Sequence, residues 1–364
     1  MKAFMRIIAV LAIMAIASCG GSGTTTVKIA YLYAVGQGAN AVVGLTVQND
    51  GELAGLSVPQ FSTNPIPVAL AVTPNKNFIY VANSTSNTVS GYSLNHGSGF
   101  LTPVGTAVPP TPVGTNPIAV GVDSTGQFLF VLNQGSNNIL TFSIDSVRGL
   151  LTAVGSPVTV PANSQFMVVS PNSAFLYVSA GTGISGFAIG PGGALSAVAG
   201  SPFTAGTDIR GMAIDSQGQF LYAADRGGNQ VASFSIQGSG VLAAVSGSPF
   251  AAGTQPMMVT VDATGKLLYT ANEGSNDVSA YTVSSGALTQ VSGSPYGAAG
   301  SGVVTAAQPV FVTVDATNQF LYIANSGSKG IMAFTIKASD GTLTAVTNSP
   351  FGQVIAPQVL LSAK

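Results

Sequence analysis

The stretch Pro117-Ile-Ala-Val-Gly-Val-Asp-Ser-Thr-Gly-Gln-Phe-Leu-Phe-Val-Leu-Asn133 decides the fold, because variants of it recur along the chain. It opens with proline, alternates apolar and small residues, turns at Asp-Ser-Thr-Gly and continues into a second apolar run. This pattern is typical of two short antiparallel β-strands joined by a turn. The pattern returns at three further places: Pro67–Asn83, Pro256–Asn272 and Pro309–Asn325. A period of 45 to 53 residues predicts a repeat protein built from one small β-unit.

Seven copies of the unit can be counted from one aromatic residue on the second strand of each. These residues are Tyr33, Tyr80, Phe130, Tyr177, Tyr222, Tyr269 and Tyr322. A second apolar column follows ten or twelve residues later: Leu45, Tyr92, Phe142, Phe187, Phe234, Tyr281 and Phe334. Each unit holds four short alternating runs, for example Ile118–Val122, Phe128–Leu132, Ile139–Ile144 and Leu150–Val154. We therefore predict an all-β fold, a seven-bladed β-propeller with four-stranded antiparallel blades, in which both columns pack the blades together.

The two ends of the repeat region complement each other. Residues 29–58 supply only the second to fourth strands of a blade, whereas Pro357-Gln-Val-Leu-Leu-Ser-Ala363 matches the first strand of the other blades. We expect residues 354–363 to pair beside Tyr31–Val35, which closes the ring and removes an unpaired sheet edge. Residues 29–364 are therefore predicted to form a single propeller domain.

Composition excludes several functions. The chain has 11 Lys and Arg against 12 Asp and Glu, and only 6% of its residues are charged, so a basic surface for nucleic acid cannot be built. One Cys and one His rule out a Cys/His zinc site, a disulfide framework and a Cys-His nucleophile pair. Most Asp residues fall in predicted turns, and Trp is absent. We expect no metal, no cofactor and a monomeric protein, and we interpret His96 as a turn residue without a catalytic role.

The N-terminus resembles a bacterial lipoprotein signal. Lys2 and Arg6 precede an eleven-residue apolar run that ends in Ile16-Ala17-Ser18-Cys19, the order in which a lipoprotein Cys is acylated and becomes the first residue. We interpret residues 1–18 as a lipoprotein-type signal peptide and residues 19–28 as the lipidated Cys19 with a flexible tether. This makes the protein an extracytoplasmic, membrane-anchored bacterial lipoprotein of the periplasm or cell surface. An ordinary secretory peptide, with Cys19 a bystander, is the alternative.

The strand ends also carry a family resemblance. Tyr80-Val-Ala-Asn83 is followed by Ser86-Asn-x-Val89, and this arrangement resembles the YVTN repeats and the seven-bladed lactonase family that includes 6-phosphogluconolactonase-like proteins. The resemblance covers residues 29–364 and is specific for the fold. It is weaker for activity, because propellers host unrelated functions.

Loop topology predicts where a site should lie. The loops between second and third strands share one face with the connections between blades, at the mouth of the central channel. Charged residues expected on this face are Asp208, Arg210, Asp225, Arg226, Glu273, Asp277 and Lys329. The residue at the second position of each innermost strand should face the channel mouth: Val68, Ile118, Gln165, Arg210, Met257, Val310 and Gln358. An apolar ring with a few polar groups is typical of a small-molecule site.

The family resemblance implies roles for some of these residues. The family carries Pro-His or Pro-Arg-His at this ring position, and a Glu sixteen residues after the Arg within Asn-Glu. Arg210 matches the Arg, but Ile209 and Gly211 replace Pro and His, and position 226 is Arg. Glu273 matches Asn-Glu in the next blade, where Met257 replaces the Arg. The candidate catalytic residues are thus Arg210, as the cation for an oxyanion, and Glu273, as the base.

Two functions remain open. The first, which the missing family histidines favour, is a binding or scaffold module on the cell envelope that contacts an envelope protein or a small ligand at the channel mouth. Candidate ligand-binding residues are Gln165, Arg210, Arg226 and Gln358. The alternative is a lactone hydrolase of the family it resembles. A third interpretation of Arg210 and Glu273 is that both belong only to a surface ion cluster, which would contribute little stability.

Overall fold

The structure is a computed structural model that describes residues 26–36, 40–105, 111–297, 308–327, 330–352 and 357–363. These residues form seven antiparallel sheets that follow one another around a ring. The predicted signal peptide, Cys19 and Lys329 lie outside the described residues. None of the segments that the structure describes is a helix with the length and hydropathy of a membrane span.

The strands are distributed over seven consecutive blades. Blade 1 contains β1 (Lys28–Gly36), β2 (Ala41–Gln48) and β3 (Leu53–Ser62). Blade 2 contains β4 (Pro67–Val72), β5 (Phe78–Asn83), β6 (Thr88–Leu94), β7 (Leu101–Pro103) and β8 (Thr111–Pro112). Blade 3 contains β9 (Pro117–Val122), β10 (Phe128–Asn133), β11 (Asn138–Ile144) and β12 (Leu151–Thr159). Blade 4 contains β13 (Ser164–Val169), β14 (Phe175–Ala180), β15 (Gly183–Ile189), a 3-10 turn (Pro191–Gly193), β16 (Leu195–Ala197) and β17 (Phe203–Thr204).

The remaining blades repeat this order. Blade 5 contains β18 (Ile209–Ile214), β19 (Phe220–Asp225), β20 (Gln230–Ile236), β21 (Leu242–Ala244) and β22 (Phe250–Ala251). Blade 6 contains β23 (Pro256–Val261), β24 (Leu267–Asn272), β25 (Asp277–Ser284) and β26 (Ala287–Gln290). Blade 7 contains β27 (Pro309–Val314), β28 (Phe320–Asn325), β29 (Gly330–Ile336) and β30 (Leu343–Ala345). Strand β31 (Pro357–Ala363) returns to blade 1 as its innermost strand.

The ring closes as the sequence predicts. Strand β31 pairs antiparallel with β1, with Tyr31 opposite Ala363, Tyr33 opposite Leu361 and Val35 opposite Val359. The chain ends therefore share one blade, and the edge of β1 that would otherwise template aggregation is covered.

The outer strand is the part of the blade that differs from the prediction. In blades 2, 4 and 5 it consists of two short pieces that pair with the same third strand; in blade 5, β21 and β22 both pair with β20. A serine between the pieces stabilises the interruption, since the Ser248 hydroxyl accepts a hydrogen bond from the Ser233 N–H at 2.9 Å. Ser201, Ser294 and Ser349 accept equivalent bonds in blades 4, 6 and 7.

The core consists of seven apolar clusters, and each cluster lies between two neighbouring blades. The second-strand aromatic column is fully buried in all seven blades, at 0% exposure. Because both faces of each sheet carry apolar side chains, every blade must pack against two others. The predicted role of the aromatic columns is confirmed.

Hydroxyl groups of the same column also connect the blades. The Tyr177 hydroxyl donates a hydrogen bond of 2.8 Å to the carbonyl of Gly240, in the turn between the third and fourth strands of the next blade. Four other tyrosines make the equivalent contact: Tyr33 to Gly99, Tyr80 to Gly149, Tyr269 to Gly341 and Tyr322 to Gly51. The last of these joins blade 7 to blade 1.

In two blades a hydroxyl group on the third strand donates the equivalent hydrogen bond instead. Blade 3 has Phe130 in the column, and the hydroxyl of its cross-strand partner Thr141 donates to Gly193 at 3.3 Å. In blade 5 the Ser233 hydroxyl donates to Gly286 at 2.7 Å. The buried hydroxyl of its cross-strand partner Tyr222 therefore has no hydrogen-bond partner among the described residues.

This difference predicts unequal effects of one chemical change. Tyr177→Phe should lower the free energy of unfolding by about 1–3 kcal/mol, because it leaves the Gly240 carbonyl unsatisfied in a buried site. Tyr222→Phe should leave stability unchanged or slightly raised, because the lost hydroxyl is buried without a partner. Urea unfolding of both variants is the measurement. Equal losses in the two variants would contradict the assignment of the blade-to-blade hydrogen bond.

Candidate functional site

Seven side chains surround one end of the central channel, where the innermost strands begin. Their strands start with a proline or its structural equivalent, and the second position of each lines a cavity of about 340 Å³. All seven residues that the sequence places at the channel mouth line this cavity: Val68, Ile118, Gln165, Arg210, Met257, Val310 and Gln358. Deeper in the channel, Phe166, Met258 and Phe311 contribute to the wall. The cavity is therefore mainly apolar, with two amides and one cation.

Arg210 is the one charged side chain among the described residues that line this cavity. One terminal nitrogen, Nη1, donates to the Gln165 side-chain oxygen at 2.9 Å. The other, Nη2, donates to Asp208 Oδ2 at 2.9 Å. The Arg210 Nε is buried without a partner in the described part of the chain. Two anchors on opposite sides hold the guanidinium at the cavity wall.

Arg226 connects blades 5 and 6 next to this pair. Its Nη1 lies 3.6 Å from Asp208 Oδ2, and its Nη2 lies 3.6 Å from Glu273 Oε2 and 3.3 Å from the Gln255 side-chain oxygen. The four charged side chains are 25–32% exposed. Solvent at such exposure screens ion pairs, so each pair contributes little to stability. We call Asp208, Arg210, Arg226 and Glu273 the mouth cluster.

Asp225, which the sequence analysis placed on the open mouth, is instead buried at 0% exposure. Its Oδ1 accepts hydrogen bonds from the N–H groups of Thr207, Asp208 and Gly228 and from the Thr207 hydroxyl. Burial opposes ionisation of Asp225, but these donors and Gln230 outweigh it, and the pKa of the carboxyl is lowered. Asp225 therefore fixes the loop that carries Asp208.

Asp277 differs from the prediction in the same way. It is 2% exposed and accepts a hydrogen bond of 2.7 Å from the Asn272 side-chain amide. Burial raises the pKa of this carboxyl, against the hydrogen bonds from Asn272 and Ser275. Neither Asp225 nor Asp277 presents an open charge to a ligand, because each is enclosed by the strand ends of its own blade.

The structure separates the predicted site residues into two groups. Gln165, Arg210 and Gln358 line the cavity, whereas Arg226 and Glu273 belong to the mouth cluster beside it and are not among its lining residues. Arg210 and Glu273 are connected indirectly, through two other side chains. Arg210 pairs with Asp208, which also faces Arg226. Arg226 in turn faces Glu273. Sequence reasoning counted Asp208 as a surface charge and missed its role as the anchor of Arg210.

His96 lies at the other end of the channel. It occupies the turn between β6 and β7, and its Nε2 is 3.2 Å from Asn77 Oδ1, in the turn between β4 and β5. These turns and the mouth loops lie on opposite faces of the ring, so the imidazole is remote from the cavity. Within the described ranges, no three His, Cys, Asp or Glu side chains are grouped as metal ligands would be.

The fold and the channel-mouth cavity define the protein as a seven-bladed propeller with a small-molecule-sized site. A family model described as "Lactonase, 7-bladed beta-propeller" matches residues 28–168 and 194–305. The chain therefore belongs to the seven-bladed lactonase family. None of the curated proteins compared with it matches.

Solved structures show the same architecture. A candidate 6-phosphogluconolactonase of Bacteroides fragilis is similar over 94% of this chain and 100% of its own, with a TM-score of 0.77 and 19% identity. The periplasmic gluconolactonase PpgL of Pseudomonas aeruginosa is similar over 92% of this chain and 99% of its own, also with a TM-score of 0.77 and 19% identity. Hydrazine synthase of Kuenenia stuttgartiensis has a TM-score of 0.59 and 17% identity, over 85% of this chain and 91% of that chain. At such identities these similarities establish the fold alone.

Proposed function

We propose that the protein hydrolyses lactones at the channel mouth. The observation that carries the proposal is the Arg210 guanidinium, fixed by Gln165 and Asp208 at the wall of an otherwise apolar cavity. Hydrolysis of a lactone builds negative charge on the carbonyl oxygen, and a pre-positioned cation in an apolar site stabilises that charge. Family membership supports the same activity. This proposal reverses the preference for a binding module that the missing histidines favour.

The reaction needs a base as well as a cation. Water adds to the acyl carbon, and its proton passes to a carboxylate while Arg210 stabilises the oxyanion. Collapse of the tetrahedral intermediate then breaks the ring C–O bond, and the proton passes to the leaving alkoxide, so that lactone and water give one hydroxy acid. Carboxylates transfer protons effectively when they are within reach of the attacking water.

Glu273 is the better base of the two mouth carboxylates. Asp208 Oδ2 already accepts a 2.9 Å hydrogen bond from Arg210 and faces Arg226 at 3.6 Å. Among the described residues, Glu273 pairs with Arg226 alone, at 3.6 Å, which is longer than a normal hydrogen bond. We therefore assign Asp208 to positioning Arg210, and Glu273 to accepting the proton. Gln165 and Gln358 contribute polar contacts for the hydroxyl groups of a ligand.

The test is a hydrolysis panel of sugar lactones and simple γ- and δ-lactones near neutral pH. Arg210→Ala should lower kcat/KM by about 100-fold or more, the size of effect seen when an oxyanion donor is removed. Glu273→Gln should lower kcat by about 100-fold, as for loss of a general base. Hydrolysis rates are corrected for the spontaneous reaction at each pH.

Matched controls lie at the other end of the channel. Arg148→Ala removes an arginine that is 72% exposed and paired with Asp145, and Glu52→Gln alters a partly exposed carboxylate that accepts a hydrogen bond from Asn348. Both controls should keep the activity of the unmodified chain. Turnover that survives both Arg210→Ala and Glu273→Gln would overturn the assigned site.

A binding module is the second candidate, and one observation favours it. Both arginines of the mouth cluster are already paired with carboxylates, and the chain's sole histidine lies at the opposite end of the channel. A protein that shows no turnover on any lactone, yet binds a lactone or hydroxy acid in an Arg210-dependent manner, would support this function instead.

We further propose that Cys19 is acylated and anchors the propeller to a bacterial membrane on its extracytoplasmic side. Diacylation combined with N-acylation binds membranes far more stably than a single acyl chain. The chain expressed in a bacterium should therefore fractionate with membranes, and Cys19→Ser should release it to the soluble fraction. Mass spectrometry of the N-terminal peptide checks the modification, and an unmodified Cys19 in wild-type protein would refute the anchor.

A further inference from the structure

The basic residues are unequally divided between the two ends of the channel. Five of the seven Lys and Arg residues that the structure describes lie in turns, or at a strand start, at the end opposite the mouth: Lys28, Lys76, Arg148, Lys266 and Lys337. Only Arg210 and Arg226 lie at the mouth, within the described residues. Among the residues that the structure describes, the positive charge at the mouth therefore comes from two guanidinium groups.

Both guanidinium groups are neutralised by the protein itself. Asp208 faces Arg210 at 2.9 Å and Arg226 at 3.6 Å, and Glu273 faces Arg226 at 3.6 Å. The mouth cluster thus carries two positive and two negative formal charges and has no net charge. Asp225, with a lowered pKa, adds a buried negative charge beneath the loop that carries Asp208.

A phosphate group is poorly matched to this arrangement. Phosphate recognition uses arginine forks whose N–H groups are available for two parallel hydrogen bonds. At Arg210, one terminal nitrogen donates to Gln165 and the other donates to Asp208. A dianion that used both terminal nitrogens of Arg210 would have to displace Asp208. It would then lie beside the carboxylates of Asp208 and Glu273, which share the single guanidinium of Arg226. Like charges placed together in this way are unfavourable.

We propose that the substrate is an uncharged lactone, such as an unphosphorylated sugar lactone, and that Asp208 excludes phosphorylated lactones. This inference rests on the proposed lactone hydrolysis and specifies its substrate class. The lactone ring occupies the mainly apolar cavity, and its carbonyl oxygen meets Arg210. Asp208 acts through Arg210 and Arg226 and is a specificity-determining and positioning residue.

The test compares glucono-δ-lactone with 6-phosphoglucono-δ-lactone under identical conditions. The unmodified chain should show kcat/KM at least about 10-fold higher for the uncharged lactone. Asp208→Asn loses activity on both substrates because Arg210 is less well held, but the ratio of phosphorylated to uncharged kcat/KM should rise about 10-fold, mainly through KM. Asp145→Asn, which makes the same charge change at the opposite end, should leave that ratio unchanged.

The outcomes separate the inference from the function on which it rests. A wild-type preference for the phosphorylated lactone, or an unchanged ratio in Asp208→Asn, would overturn the inference and leave lactone hydrolysis standing. Absence of turnover on either lactone would refute the hydrolase. In that case the change in unfolding temperature on adding gluconate or 6-phosphogluconate measures the same charge selectivity. Arg210-dependent stabilisation by gluconate but not by 6-phosphogluconate would then support exclusion of phosphate at the mouth, and any other result would overturn it.

Discussion

Deletion of residues 354–364 is expected to lower the free energy of unfolding by on the order of 5 kcal/mol or more, a large part of the stability of an ordinary domain. Strand β31 belongs to both interfaces of blade 1: Leu360 is buried in the cluster shared with blade 7, and Ala363 in the cluster shared with blade 2. Its removal unpairs β1 along Tyr31–Gly36 and opens the ring at two interfaces. The effect should therefore reach the whole ring.

Thermal and urea unfolding of the truncated chain give the measurement. The single change Leu360→Ala removes one buried side chain but keeps the strand, and should cost about 2–5 kcal/mol. A synthetic peptide covering residues 354–364, added to the truncated protein, should restore part of the lost stability by pairing with β1. A truncated chain with unchanged unfolding midpoints and unfolding cooperativity would show that the ring does not depend on this closure.

The fold could be predicted from the sequence because the same strand pattern recurs seven times. A single Tyr in an alternating run is weak evidence, but Tyr33 to Tyr322 recur at one register and fix the second strand of every blade. The same register determines which innermost-strand residue faces the channel, so the cavity ring was predictable as well. The outer strands were less predictable, because their short pieces depend on single serine hydroxyls such as that of Ser248.

The site could be predicted only in part, for a physical reason. The position of ring residues such as Arg210 is determined by the strand on which they lie. The pairing of Asp208 and Glu273 with arginines depends instead on connecting loops and side-chain rotamers, which the repeat pattern does not constrain. The burial of Asp225 did leave a signal in the sequence. It occupies the strand-end position held by Asn83, Asn133, Asn272 and Asn325, all fully buried.

The second large effect is expected at Gly240, the turn residue of blade 5 that receives the hydrogen bond from Tyr177. Its φ is +85°, and a Cβ added there would lie 2.4 Å from the ring of Phe175 in blade 4. Gly240→Ala should therefore combine backbone strain of about 1–2 kcal/mol with about 1–3 kcal/mol of overpacking at a blade interface.

Gly192→Ala separates the two contributions, because Gly192 has φ +70° in the corresponding turn region of blade 4 but no atom within 4 Å of an added Cβ. Urea unfolding should show only the strain cost in Gly192→Ala and roughly twice that cost, or more, in Gly240→Ala. Equal losses in the two variants would mean that the Phe175 contact contributes nothing. Gly240 lies at the end of the channel opposite the mouth cluster, so the folded fraction of Gly240→Ala should keep the hydrolytic rate of the unmodified chain. Blade packing and the chemistry at Arg210 are thus expected to vary independently.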